Sequence, residues 1–116
     1  MKDDRIYLEH ISRSLQKIIK YVGDLDYVGF LKNEMVQDAI IRQFEIIGEA
    51  TKRLSMELRN NYPELPWRQM AGMRDKLIHE YLAVDLDVVW ISASEETFDL
   101  LIKIEAILES PLQKSI

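Results

Sequence analysis

The stretch Met70-Ala-Gly-Met-Arg-Asp-Lys-Leu-Ile-His-Glu-Tyr81 brings an arginine, a histidine and a tyrosine close together on the chain. Trp67, Met70, Arg74, Leu77 and Tyr81 follow the alternating three- and four-residue spacing of a helix stripe that faces a partner. Arg74 therefore stands where an apolar side chain belongs. A guanidinium on such a stripe loses its hydration, which is costly unless an anion meets it. That anion is either a carboxylate of the protein itself, with Glu49, Glu45 and Asp75 as candidates, or a phosphate. An imidazole titrates near neutrality and suits proton transfer in phosphoryl chemistry, while arginine grips phosphate oxygens in a bidentate, permanently charged way.

Each of these residues also has a plain structural role open to it. His79 could end a helix and bond to a carbonyl, and Tyr81 could be a core aromatic. Asp75, four residues before His79, could orient the imidazole or be a solvated charge. Glu49 and Lys52 face neither apolar stripe cleanly. Met70, Met73, Trp67 and Trp90 read as packing residues, and His10 as a surface residue on the polar face of the first helix. Residues five apart on an unbroken helix point roughly 140° away from each other. Arg74 and His79 could then share a ligand in one of three ways. The helix ends near His79, the long side chains converge across a groove, or a dimer partner supplies a second set. A helix C-terminus would also favour the protonated imidazole.

The positioning elements are read as four helices. The first runs from Asp3 or Asp4, as N-cap, to about Tyr21, burying Leu8, Ile11, Leu15, Ile18 and Val22 and stopping at Gly23-Asp24. A short turn over Tyr27 to Leu31 follows. A long helix from about Asn33 to Asn60 carries Ile40, Phe44, Ile47, Leu54 and Leu58 on one face. Ile41, Gly48 and Ser55 recur every seven residues on another face, with Gly48 permitting a close backbone approach. Tyr62-Pro-Glu-Leu-Pro66 breaks the chain, and the third helix spans about Pro66 to Ile78, with Tyr81 as its furthest limit. Asp85 caps the fourth, Leu86 to about Glu109, with Leu86, Trp90, Ala93, Thr97, Leu100, Ile104 and Leu108 turned inward. No strand pattern or internal repeat is present. Short connections predict an all-α, antiparallel four-helix bundle of up-down type, forming one domain over 1–116. Ile41, Ile46, Met73 and Val88 exceed what one stripe per helix needs, which suggests a second buried face, most simply a homodimer.

Composition narrows the function classes. With 47% hydrophobic and 30% charged residues the chain is globular rather than disordered. The absence of cysteine rules out disulfides and thiolate metal sites and suits a reducing cytoplasm. The polar start Met-Lys-Asp-Asp-Arg does not read as a signal peptide, and no apolar run reaches membrane-spanning length. A net charge of −5 argues against a broad nucleic-acid footprint but allows a small basic cleft or a basic partner protein. Histidines at positions 10 and 79 alone give no metal-ligand spacing, and no phosphate loop or nucleophile elbow is present, so neither metal nor cofactor is expected.

Arg74-Asp-Lys-Leu-Ile-His79-Glu-Tyr81 resembles the Arg-x4-His-x-Tyr motif of the HepT-like HEPN family. The resemblance extends over nearly the whole chain. It includes Ile46-Ile-Gly-Glu-Ala50, Leu65-Pro-Trp67, Gly72-Met-Arg74, Val84-Asp-Leu86 and Trp90. Asp75 departs from the asparagine often found at that place. The resemblance implies a helical bundle that dimerises with its motif helices facing across a cleft. It further implies a metal-independent ribonuclease toxin, partnered by a minimal nucleotidyltransferase antitoxin that attaches AMP to the motif tyrosine. Arg74 would hold the scissile phosphate, His79 would shuttle protons, and Tyr81 would be the modified residue. Two competing readings stand beside this one. One is a non-catalytic helical partner that presents nucleotide or substrate to a nucleotidyltransferase. The other is a purely structural bundle.

Overall fold

The computed structural model describes residues 2–79 and 84–110, without the side chains of residues 2, 74 and 76–79. The described residues are all-helical. Helix α1 spans Lys2–Val22, α2 Tyr27–Leu31, α3 Glu34–Lys52, α4 Met56–Asn61 and α5 Trp67–His79. The last stretch consists of α6 (Leu86–Ile91), a π-helical segment (Ser92–Glu96) and α7 (Thr97–Glu109).

Helix α1 supplies the centre of the core: Leu8, Ile11, Leu15 and Ile18 are fully buried at helical spacing, and Val22 packs half-buried against them. Gly23 ends the helix with φ of 48°, a left-handed conformation that a side chain rarely adopts. The expected N-cap role of Asp3 or Asp4 is corrected, because the helix already begins at Lys2. Asp4 is instead drawn into the interior, only 2% exposed, where it accepts hydrogen bonds from the Ser55 amide at 2.8 Å and hydroxyl at 2.6 Å. The turn expected over Tyr27 to Leu31 is a short helix capped by the Asp26 side chain, with Phe30 buried and stacked obliquely on Trp90 at 5.1 Å.

The long helix expected from Asn33 to Asn60 is divided. Asn33 caps α3, and α3 ends at Lys52. Ser55 then caps α4 by accepting from the Leu58 amide. The guanidinium of Arg59 donates to the carbonyls of Thr51, Lys52 and Leu54, satisfying the end of α3 that the break exposes. Leu54 and Leu58 are buried as expected, but Leu54 lies in the break rather than on a helix face.

Helix α1 packs against both α3 and α7, and α3 packs against α5. The start of α1 meets the start of α4 through Asp4 and Ser55, and the end of α7 through a bond from Arg5 to the Leu108 carbonyl. In the last helical stretch Ala93, Thr97 and Ile104 are buried, whereas Leu86, Trp90, Leu100 and Leu108 are half-buried against the core. Val89 and Ile107 are buried in addition. Ser94 and Thr97 donate to the carbonyls four residues earlier, Trp90 and Ala93, taking up acceptors within the widened turn.

Ile41, Ile46, Met73 and Val88 are half-buried. The exposed large apolar residues are others, among them Met35, Phe98, Met56 and Ile102. The carbonyl oxygen of the Gln43 side chain is buried without a hydrogen-bond partner among the described residues. Leaving such an acceptor unpaired costs roughly 1–3 kcal/mol, and methionine has a similar length without that acceptor. Gln43→Met is therefore expected to raise unfolding stability by about 1 kcal/mol in urea titration, with an unchanged slope.

Candidate functional site

Helix α5 carries the motif, and its first turn is firmly set. Pro66 accepts from the Met70 amide at 3.0 Å and opens the helix. The buried Trp67 donates from its indole Nε1 to the Tyr62 carbonyl at 2.9 Å. Leu65 and Met70 are buried beside it. The backbone continues as α-helix without interruption through Arg74 to His79. These two residues are thus separated by about 7.5 Å of rise and roughly 140° of turn. Their side chains, and with them the choice of anion for Arg74, lie outside the described residues, as does Tyr81.

The two supporting candidates are described. Asp75 forms an ion pair with Lys52 of α3, both side chains being part-exposed, so it ties the motif helix to its neighbour rather than standing as an isolated solvated charge. Exposed pairs of this kind contribute little to stability, about 0–1 kcal/mol. Glu49 of α3 lies 3.8 Å from Arg53 in a half-exposed setting. It borders a shallow hollow shared with Tyr7, His10 and Arg42, on the α1 side of α3. His10 is exposed, as expected, and meets the Tyr7 ring edge-on at 6.2 Å.

Gly72 lies in the middle of α5 and is exposed, and a Cβ added there would meet nothing within 4 Å. Packing within the chain therefore does not require glycine at this position, although glycine costs a helix about 1 kcal/mol relative to alanine. The chain returns from the motif at Val84 and Leu86, which flank a hollow beside Gln37, Asp38 and Ile41 of α3. No helix among the described residues is long and apolar enough to cross a membrane.

Sequence reasoning missed a larger feature. Between α5 and the π segment with α7, over the α3 residues Phe44 and Ile47, the packing opens into a groove of about 580 Å³. The available signal was the Ser92-Ala-Ser-Glu-Glu96 run, whose hydroxyl and acidic residues interrupt the apolar pattern of the last helix.

Comparison with known proteins matches residues 11–107, a span that includes α3, α5 and Arg74 to His79, to the family described as HepT-like, Ribonuclease HepT-like. A protein of Caldanaerobacter subterraneus subsp. tengcongensis, named "Putative RNase TTE0752", is 39% identical over 109 residues, covering 94% of this chain and 97% of that one. "Putative RNase MJ0125" of Methanocaldococcus jannaschii is 37% identical over 113 residues, 97% of each chain. "Probable ribonuclease HepT" of Thermococcus cleftensis is 42% identical over 90 residues, 78% of this chain and 82% of that one. No solved structure matches. With a family match over most of its length and relatives similar across nearly their whole chains, this protein belongs to the HepT-like ribonuclease family.

Proposed function

We propose that this chain is an endoribonuclease that cuts RNA without a metal ion, acting as the toxin of a toxin–antitoxin pair. The observation that carries the reading is the uninterrupted helix α5, which holds Arg74 and His79 at the motif spacing inside the family-matched span. The 2′-hydroxyl of RNA is the nucleophile. His79 accepts its proton as the oxygen attacks phosphorus, and a proton is returned to the departing 5′-oxygen. The products are a 2′,3′-cyclic phosphate and a free 5′-hydroxyl. Arg74 holds the non-bridging oxygens and offsets the charge that builds on them.

Two copies with facing α5 helices resolve the angular separation of Arg74 and His79, since each copy supplies what the other turns away. The open side of Gly72 supports this arrangement, because a second backbone or a phosphate can approach there without meeting a side chain. Paired clefts would also concentrate positive charge locally on a chain of net charge −5. The partner is a minimal nucleotidyltransferase antitoxin that transfers AMP from ATP to the Tyr81 hydroxyl, releasing pyrophosphate. The added anion blocks RNA by bulk and by charge.

The test uses purified protein made without its partner, incubated in EDTA with single-stranded RNA and with its all-deoxy counterpart. RNA is expected to be cut to ends bearing cyclic phosphate, and the DNA to stay intact. Equal cutting of both strands would refute the 2′-hydroxyl mechanism. Intact RNA together with tight ATP binding would favour the non-catalytic partner instead.

A further inference from the structure

The groove between α5 and α7 has a composition that the motif chemistry leaves unused. Its floor and inner walls are apolar, formed by Phe44, Ile47, Met70, Met73 and Leu100. Its rim is acidic. Glu64, Glu95 and Glu96 are exposed and have no ion-pair partner among the described residues, while Asp99 pairs with Lys103 at 3.0 Å. The wall from Ser92 to Lys103 rises about 16 Å, the length of three helical turns. Ile102, next to Lys103 on this wall, and Phe98, next to Asp99, stand 54% and 65% exposed.

We infer that this groove is a docking site for a basic amphipathic helix of a partner protein. The apolar floor would receive one helix stripe, and lysines or arginines flanking that stripe would meet Glu64, Glu95 and Glu96. Three exposed carboxylates lacking ion-pair partners among the described residues stand beside a concave apolar surface, and a cationic ligand would complement them. The same charges select against the other occupants. RNA would bring phosphates against the carboxylates, and a second copy docked groove to groove would set like-charged rims against each other. The π segment at Ser92–Glu96 supports the site, since its wider turn places the two glutamates on the rim.

The test follows binding at the methionines. Full-length protein carrying methyl-labelled methionine is titrated with a synthetic 18-residue leucine–lysine peptide whose leucines recur at helical spacing. Met70 and Met73 lie in the groove, whereas Met35 and Met56 are exposed elsewhere. The Met70 and Met73 methyl resonances are expected to shift while those of Met35 and Met56 stay. Affinity should fall as salt is raised. It should fall at least tenfold in Glu95→Lys/Glu96→Lys/Asp99→Lys, and hold in Asp38→Lys/Glu105→Lys. Circular dichroism of both variants checks that the fold persists, and the exposed positions make it expected to. Unchanged affinity in the triple variant would overturn the proposal, as would equal binding of a leucine–glutamate peptide or shifts at Met35 or Met56. Sedimentation showing a dimer that the triple variant dissociates would assign the groove to a second copy and also overturn it. None of these readouts depends on RNA cleavage.

Discussion

His79→Ala is expected to slow RNA cleavage by about 10²–10⁴-fold while leaving the helical content unchanged, the range by which a positioned proton carrier accelerates such a reaction. Alanine is the best helix former, and His79 is the final residue of α5, so the substitution removes the imidazole without removing the helix. Arg74 gives a complementary test. Arg74→Ala is expected to cost about 10²–10³-fold, as loss of a preorganised donor to a developing oxyanion does. Arg74→Lys should recover part of that loss, since lysine keeps the charge but not the planar two-toothed grip. Single-turnover cleavage of a labelled RNA, read beside circular dichroism of each variant, measures both. Cleavage by the His79→Ala protein at the parent rate would remove the proton-transfer role from this residue.

Asp4→Ala is expected to destabilise the fold by about 2–4 kcal/mol, a large share of the roughly 5–15 kcal/mol typical of a domain. The carboxylate of Asp4 accepts from both the amide and the hydroxyl of Ser55 within the protein, and Ser55 in turn caps α4. Removing it leaves two donors unpaired and loosens the cap at the point where α1, α3 and α4 meet. Asp3→Ala is the control. Asp3 occupies the same first turn but is exposed, so it shares the favourable interaction with the helix dipole and lacks the tertiary bonds. Its effect should stay within about 0.5 kcal/mol. Urea unfolding of the two variants separates the local electrostatic contribution from the buried one; equal losses would show that Ser55 gains nothing from Asp4.

The contrast between these two aspartates marks the limit of reading along the chain. Both look like N-terminal caps in sequence, and only the arrival of Ser55, 51 residues later, draws one of them inside. The same contact explains the division of the expected long helix. Residues 33–60 hold a continuous apolar period and contain no proline, so local preference favours one helix. Asp4 holding Ser55 and Arg59 capping the carbonyls of Thr51, Lys52 and Leu54 together make the break cheaper than continuation. No pattern of neighbours along the chain announces bonds that depend on three helices converging.

What was legible is equally physical. Helical periodicity set the buried stripe of α1, the Asn33 and Asp85 boundaries and the extent of α5, because apolar burial and capping act within a few residues of their cause. The separation of Arg74 and His79 was legible for a different reason: both sit on one helix, where spacing alone gives it. The acidic groove belongs to the other class. Its walls come from α5 and α7, its floor from α3, and a π turn shifts the register between them. The amino-acid order thus determined which helices form and which residues they carry. The packing of those helices decided where the chain breaks, which acid is buried and where the acidic groove opens, since each of these follows from groups that meet only in three dimensions.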